Sequence, residues 1–282
     1  MNEGNTRYVA IIGHPIIHSL SPKMHQAAFN QLHLEYCYLP FDISPEKLKN
    51  GVEALKQLGF RGFNVTIPFK EKIIPLLDQI SKEAAIIGAV NTVLIENGKL
   101  KGFNTDGAGF VESLKKKWTI SLKNKRALIL GAGGAAKAVA AQLCLNQVGS
   151  IGIVNRTRKK ADQLKTRLEN HFPKVEVKVF AGFGDDLDCF LKEAHLLVNS
   201  TSVGLHRGDD SPLPSKFFHE QLKVCDLIYN PSMTSFLRTA QKKGCSFING
   251  RGMLLYQGAL AFKIWTGKMA PVEVMSKALS LA

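Results

Sequence analysis

Apolar residues follow two rhythms along this chain. Short, nearly unbroken apolar runs predict strands at 8–12, 36–41 and 62–65, and again at 127–130, 151–154, 175–179, 196–199, 224–227 and 246–248. Between them, apolar positions recur at helical spacing. Residues 22–32 and 45–58 read this way, and in the second stretch Leu48, Val52, Leu55 and Leu58 fall on one face. Further helices are predicted at 107–117, 135–145, 253–265 and 271–281. Residues 90–96 and 99–103 flank Asn97-Gly98, the dipeptide of a tight hairpin turn. Strand and helix alternate from end to end, which predicts an α/β fold.

The segment RALILGAGGAA, Arg126 to Ala136, adds chemistry to that pattern. A strand runs into a glycine turn, and a helix opens at Ala135. Gly131 and Gly133 let the backbone turn tightly and approach a pyrophosphate, and the helix opening at Ala135 aims its N-terminal amides at that anion. The strand before and the helix after are the context that a dinucleotide-binding motif requires. The next strand ends in Asn155-Arg156-Thr157-Arg158. An NAD site favours an acidic residue there to hold the ribose 2′-hydroxyl, whereas a guanidinium and a hydroxyl suit a 2′-phosphate. The expected cofactor is therefore NADP, held by a doubly wound Rossmann domain. About 125 residues precede the motif and carry an α/β pattern of their own. They predict a separate substrate domain. The pattern alone leaves the final two helices free to join either domain.

Composition narrows the class. A chain of 282 residues has room for two cores. Its 45% hydrophobic and 21% charged content fits a soluble, enzyme-like protein. No apolar run approaches the length of a membrane span, and the first residues lack the pattern of a signal peptide. Cys37, Cys144, Cys189, Cys225 and Cys245 are scattered, with no CxxC pair and no Cys/His metal spacing. No metal is expected. The thiols read as buried and reduced, which points to the cytoplasm. The net charge of +14 raises the question of nucleic acid. The cations, however, are spread over helical faces such as Lys115-Lys116-Lys117, with no basic strand interleaved with aromatics and no recognition-helix pattern. No nucleic-acid or membrane partner is expected. The positive field would instead draw in a phosphorylated cofactor and a carboxylate substrate.

Four polar clusters lie at predicted strand ends of the first domain, where ligand sites of open α/β sheets form. Ser19 and Ser21 alternate ahead of the helix at Pro22. They make a carboxylate grip, or Ser21 is the helix N-cap. Asn64 and Thr66 alternate at a strand end, and Lys70 follows a proline, where partial desolvation would suit proton transfer. Asn91 places an amide at a strand start. Asp106 either caps a helix or pairs with Lys70 and binds a substrate hydroxyl. Redox chemistry on an alcohol needs one group to move the hydroxyl proton and others to fix the reacting carbon. Lys70 with Asp106 meets the first need, and the hydroxyl and amide clusters meet the second.

The blocks HSLSPKMH, NVTIPFK, IGAVNT, GFNTDGAG, GAGGAAKA, NRTRKKA, NSTSVGL, DLIYNPSMTSFL and GMLLYQGALAF, in this order, resemble the shikimate dehydrogenase family over nearly the full chain. The resemblance implies reversible NADPH-dependent reduction of 3-dehydroshikimate to shikimate, a step of chorismate and aromatic amino-acid biosynthesis. It implies a substrate domain over 1–106 with 252–282 packing back on it, a Rossmann NADP domain over 107–251, and a site in the cleft between them. By motif, Lys70 and Asp106 look like the catalytic pair and Ser19 and Ser21 like the carboxylate grip. Asn64, Thr66, Asn91 and Gln257 look like hydroxyl and ring contacts, with Tyr229 near the substrate. Gly131 to Ala135 would hold the pyrophosphate, Asn155, Arg156 and Thr157 the 2′-phosphate, and Gly250 the nicotinamide side. His14, Ser200 and Ser235 depart from the commoner pattern, none at a catalytic position. Two rivals stand beside this reading. A quinate/shikimate dehydrogenase that uses NAD is opposed by Arg156, Thr157 and Arg158. A non-catalytic NADP- or shikimate-binding paralogue is opposed by the presence of both Lys70 and Asp106. The expected assembly is a monomer or homodimer.

Overall fold

The computed structural model describes residues 6–206 and 208–280. In chain order the helices are α1 (Ser21–Gln31), α2 (Leu48–Gln57), α3 (Lys82–Ile87), α4 (Asp106–Trp118), α5 (Gly134–Leu145), α6 (Arg158–His171), α7 (Asp185–Lys192), α8 (Ser235–Lys242), α9 (Arg251–Thr266) and α10 (Val272–Ser280). The chain divides into two compact units, Met1–Gly109 with Leu254–Ala282, and Phe110–Met253. Both divisions fall inside helices, α4 and α9.

The first unit is built on a six-stranded sheet of β1 (Arg7–Gly13), β2 (Tyr36–Asp42), β3 (Gly62–Val65), β4 (Gln79–Ile80), β5 (Thr92–Glu96) and β6 (Lys99–Phe103), ordered β2-β1-β3-β5-β6-β4. β1 pairs in parallel with β2 and β3, and β5 runs antiparallel to both β3 and β6. The C-terminal ends of β1, β3 and β6 and the start of β5 therefore share one edge of the sheet. Along β1 alternate residues serve opposite faces, as strand geometry requires. Val9 and Ile11 pack with Phe29 of α1, Phe262 and Trp265 of α9 and Met275 of α10. Ala10 and Ile12 pack with Leu48, Val52 and Leu55 of α2. Large apolar side chains contribute roughly 1.5–3 kcal/mol each when fully buried. Such contacts assign the last two helices, which the sequence pattern leaves open, to this unit. The hairpin forms as expected, with Asn97 and Gly98 at φ 52° and 70° between β5 and β6.

The second unit holds β7 (Arg126–Leu130), β8 (Ser150–Val154), β9 (Glu176–Phe180), β10 (Leu196–Asn199), β11 (Lys223–Asp226) and β12 (Ser246–Ile248), all parallel, in the order β12-β11-β10-β7-β8-β9. The chain winds outward from β7 in one direction and from β10 in the other. This is the doubly wound arrangement, with its switch point between those two strands. Leu128 and Leu130 join a core with Leu187 and Phe190 of α7 and Phe236 and Leu237 of α8.

Several boundaries differ from the pattern. The predicted helix at 45–58 is a 3-10 turn, Pro45–Lys47, followed by α2. The strand expected from residue 90 begins at Thr92, and the Val90 amide donates to the Lys70 carbonyl at 2.7 Å. α6 rises directly from the basic turn after β8 and is not among the helices that the spacing predicts. It buries only Ala161, Leu164 and Leu168, too sparse an apolar face to announce itself. The helix predicted over 271–281 is α10, and Leu281 lies outside the described residues.

Candidate active site

The edge shared by β1, β3, β5 and β6 carries the polar clusters of the first unit. Lys70 Nζ lies 2.6 Å from Asp106 Oδ2, with side-chain exposures of 17% and 6%. The other carboxylate oxygen, Oδ1, accepts from Asn91 Nδ2 at 3.0 Å. A helix cap is one sequence reading of Asp106, but Asn104 does the local turning. Its Oδ1 accepts the Asp106 amide at 3.0 Å, and its Nδ2 donates to the Ala89 carbonyl at 2.9 Å.

Asn91 is the hub of this cluster. Its Nδ2 also reaches Thr105 Oγ1 at 2.9 Å and Gln257 Oε1 at 3.2 Å, and its Oδ1 accepts the Thr105 amide at 2.8 Å. Gln257, on α9, donates its Nε2 to the Leu254 carbonyl at 2.9 Å. The pairing of Thr92 with Phe103 sets Asn91 opposite the residues that follow β6. The Asn97-Gly98 turn fixes that register, but Thr92, Asn104 and Thr105 carry no charge and read as ordinary strand-end residues, so the sequence does not mark them as site residues. All three are buried. A threonine or asparagine buried beside candidate catalytic groups must find partners: Thr92 and Thr105 find them in Asn91, and Asn104 in the backbone of Ala89 and Asp106.

Asn64, at the end of β3, donates to the Asn91 carbonyl and to Thr92 Oγ1, each at 3.0 Å. Its Oδ1 accepts from the Tyr38 hydroxyl at 2.7 Å. Thr66 follows on the same strand end, half-buried, with its amide on the Ile12 carbonyl at 3.0 Å. Ser21 corrects an expectation. The N-cap reading fails, because Ser21 is the first residue of α1, Leu20 is the cap residue, and Leu20 makes no side-chain cap bond. Ser19 Oγ accepts the Ser21 amide at 3.3 Å. The Ser21 hydroxyl is thus not the cap and is 3% exposed beside Tyr38.

In the second unit the glycine turn has the form expected of a phosphate cradle. Gly131 takes φ +111°, and a Cβ there would stand 2.6 Å from Ser200 Oγ. Only glycine suits that conformation. Gly133 is exposed, and a Cβ on it would meet nothing within 4 Å, so the space beside it is open to a ligand. Ala132 is buried behind this turn, while Gly134 and Ala135 open α5 with no side-chain cap bond and no acidic residue in the first turn. The helix amides therefore face no competing carboxylate of their own. After β8, Asn155 Nδ2 donates to the Thr157 carbonyl at 2.8 Å and closes the turn. Arg156 and Thr157 are exposed there, with no carboxylate among residues 155–158. The donor set fits a phosphorylated ribose.

Tyr229 is half-buried on the loop after β11, and burial raises its phenol pKa. Gly250 packs against that loop. Its amide donates to the Ile228 carbonyl at 3.0 Å, and a Cβ would collide with the Leu227 carbonyl oxygen. Among the described residues, no cluster of His, Cys, Asp and Glu could hold a metal.

Known proteins share this organisation. The model of the shikimate dehydrogenase substrate binding domain matches residues 11–93. The models of shikimate / quinate 5-dehydrogenase and of the shikimate 5′-dehydrogenase C-terminal domain match 112–207 and 250–279. A shikimate dehydrogenase (NADP(+)) of Methanopyrus kandleri is 46% identical over 98% of this chain and 96% of its own. One from Alkaliphilus metalliredigens is 45% identical over 97% and 96%. The crystal structure of shikimate 5-dehydrogenase from Thermus thermophilus, in complex with NADP(H) and shikimate, superposes with a TM-score of 0.87 at 41% identity, covering 98% of this chain and 99% of that one. With motifs, both sheets and full-length identity in agreement, this chain belongs to the shikimate dehydrogenase family.

Proposed function

We propose that this chain is an NADP-dependent shikimate dehydrogenase, interconverting 3-dehydroshikimate and shikimate. The observation that carries the proposal is the Lys70–Asp106 pair at 2.6 Å inside a buried polar cluster. When bound, the nicotinamide supplies the hydride for carbonyl reduction and accepts it in the reverse direction. Lys70 moves the proton, giving it to the substrate oxygen on reduction and taking it on oxidation. Asp106 holds the ammonium in place and accepts from a substrate hydroxyl. General acid–base help of this kind is worth about 10²–10⁴-fold in rate.

The other residues bind and orient. Ser19 and Ser21 take the carboxylate. Asn64, Thr66, Asn91 and Gln257 take hydroxyls or ring edges, and Asn91 also steadies Asp106 through its 3.0 Å bond. By its motif, Tyr229 is assigned a place near the substrate. Gly131 to Ala135 hold the pyrophosphate, Asn155, Arg156 and Thr157 the 2′-phosphate, and Gly250 lets its loop approach the nicotinamide side. We assign substrate binding to residues 1–106 with 252–282 and NADP binding to 107–251. The compact units, which divide at Gly109 and Leu254, support that division. The enzyme works in the cytoplasm as a monomer or homodimer. Its free cysteines, three of them buried, suit a reducing compartment.

Initial rates with shikimate and quinate, each with NADP⁺ and NAD⁺, test the proposal. The NADP⁺–shikimate pair is expected to exceed every other by about tenfold or more, the scale of one well-placed charged contact. A preference for NAD⁺ would overturn the cofactor, a preference for quinate the substrate, and no turnover with any pair the enzyme reading itself.

A further inference from the structure

Tyr38 lies on β2 of the first unit and is 4% exposed. Its ring is stacked on His25 at 4.7 Å and 4°, and leans on Trp265 at 6.1 Å. Neither nitrogen of His25 has a hydrogen-bond partner among the described residues. Burial lowers the His25 pKa to about 3, so the imidazole is a neutral, flat wall. Walled in this way, the phenol has one direction to point. Its hydroxyl donates to Asn64 Oδ1 at 2.7 Å, and the buried Ser21 side chain lies beside the same phenol.

The bonds of Asn64 can be counted. Both amide hydrogens are taken, by the Asn91 carbonyl and Thr92 Oγ1, and one lone pair of Oδ1 is taken by Tyr38. One acceptor lone pair is left for a ligand. A group that can only accept selects a ligand hydroxyl over a carbonyl or ether oxygen at that position.

We propose that Tyr38 is a positioning residue for substrate recognition: it fixes Asn64 as a hydrogen-bond acceptor, beside Ser21, so that the phenol sets the direction of a hydroxyl-binding group next to a carboxylate-binding one. This rests on the reading of Asn64 and Ser21 as substrate-binding residues. It adds an assignment outside the catalytic pair and a direction, acceptor and not donor, to Asn64.

Steady-state kinetics of Tyr38→Phe, Asn64→Ala and the double variant, with shikimate and NADP⁺ varied separately, test it. Tyr38→Phe keeps the stack on His25 and removes one oxygen. It is expected to raise the shikimate KM about tenfold, with kcat within about threefold and the NADP⁺ KM unchanged, the signature of lost uniform binding. In the Asn64→Ala background the same change is expected to add less than about twofold, because the two act as one unit. An unchanged shikimate KM in Tyr38→Phe, beside a raised one in Asn64→Ala, would overturn the proposal alone. An equal effect of Tyr38→Phe in both backgrounds, or a parallel rise in the NADP⁺ KM, would overturn it as well, since that is what loosened packing produces. An unchanged KM in Asn64→Ala would instead sink the underlying reading of Asn64. If Asn64→Ala does not fold, Asn64→Ser, which withdraws the amide from the Tyr38 hydroxyl and keeps a polar side chain, takes its place in the cycle with the same expectations.

Discussion

Asp226, at the end of β11, is 1% exposed and accepts from Asn199 Nδ2 at 3.0 Å, the Ile228 amide at 3.1 Å and the Thr234 hydroxyl at 2.6 Å. Burial outweighs these bonds and pushes its pKa from 3.8 up to about 6. The folded chain therefore holds a proton that the unfolded chain has released between about pH 4 and pH 6. The stability contributed by that proton is full below the unfolded pKa and is lost as pH rises through 6. Asp226→Asn accommodates the same three partners, its amide donating to the Thr234 oxygen, and does not titrate. In denaturant unfolding, its stability relative to the parent is expected to improve by about 3 kcal/mol from pH 3 to pH 7. An offset that stays constant across that range would contradict the account. Single residues differ in how far the sequence betrays them. Lys70 and Asp106 stand out as charges beside apolar runs at strand ends. Asp226 sits in plain view in DLIYNPSMTSFL with its partner Thr234, but its other partner Asn199 comes from a distant segment, and only the β10–β11 pairing brings it there. Tyr38 is hidden for a different reason, since a tyrosine on a strand reads as ordinary core.

At the scale of elements, the turn from β8 into α6 separates two arginines that look equivalent in the sequence. Arg158 opens α6, and its Nε bonds both oxygens of Asp162 at 2.8 and 3.0 Å, one turn along the helix. Arg156 lies before the helix, exposed, outside that pair. Arg156→Ala is expected to raise the KM for NADP⁺ by about tenfold and to leave that for NAD⁺ unchanged, the scale of one charged contact to a phosphate. Arg158→Ala is expected to stay within about threefold for both, because an exposed i,i+4 pair contributes little. Equal losses in the two variants would show that the pair with Asp162 does not hold Arg158 back from the phosphate. Arg158 and Asp162 have the spacing that meets on one helix face, so the distinction lies in the sequence once the helix is known. The sparse apolar face of α6 conceals that helix. The β7–α5 turn, by contrast, is legible almost residue by residue. Its glycines are dictated by backbone geometry, which leaves few alternatives.

At the scale of the whole molecule, the position of the glycine turn far along the chain signals two units, and two units are what fold. The pattern does not place the last two helices. α9 carries apolar residues on more than one side, so its sequence does not say which surface it covers. The buried contacts of Trp265, including its indole N–H on the Val93 carbonyl at 3.0 Å, decide the matter. The same helix delivers Gln257 to the Asn91 hub, so the C-terminal segment is a working part of the first unit as well as its cover. The high positive charge, which raises the question of nucleic acid, finds a simpler use in a protein whose two ligands are both anionic.

In the proposed mechanism Lys70, held by Asp106, moves the proton during NADP-linked oxidation of shikimate. The most direct test is the kcat of Lys70→Ala measured beside the parent, with saturating shikimate and NADP⁺. A fall of about 10²-fold or more is expected, with only a modest change in KM, the size of lost acid–base assistance. Turnover close to that of the parent would contradict the mechanism.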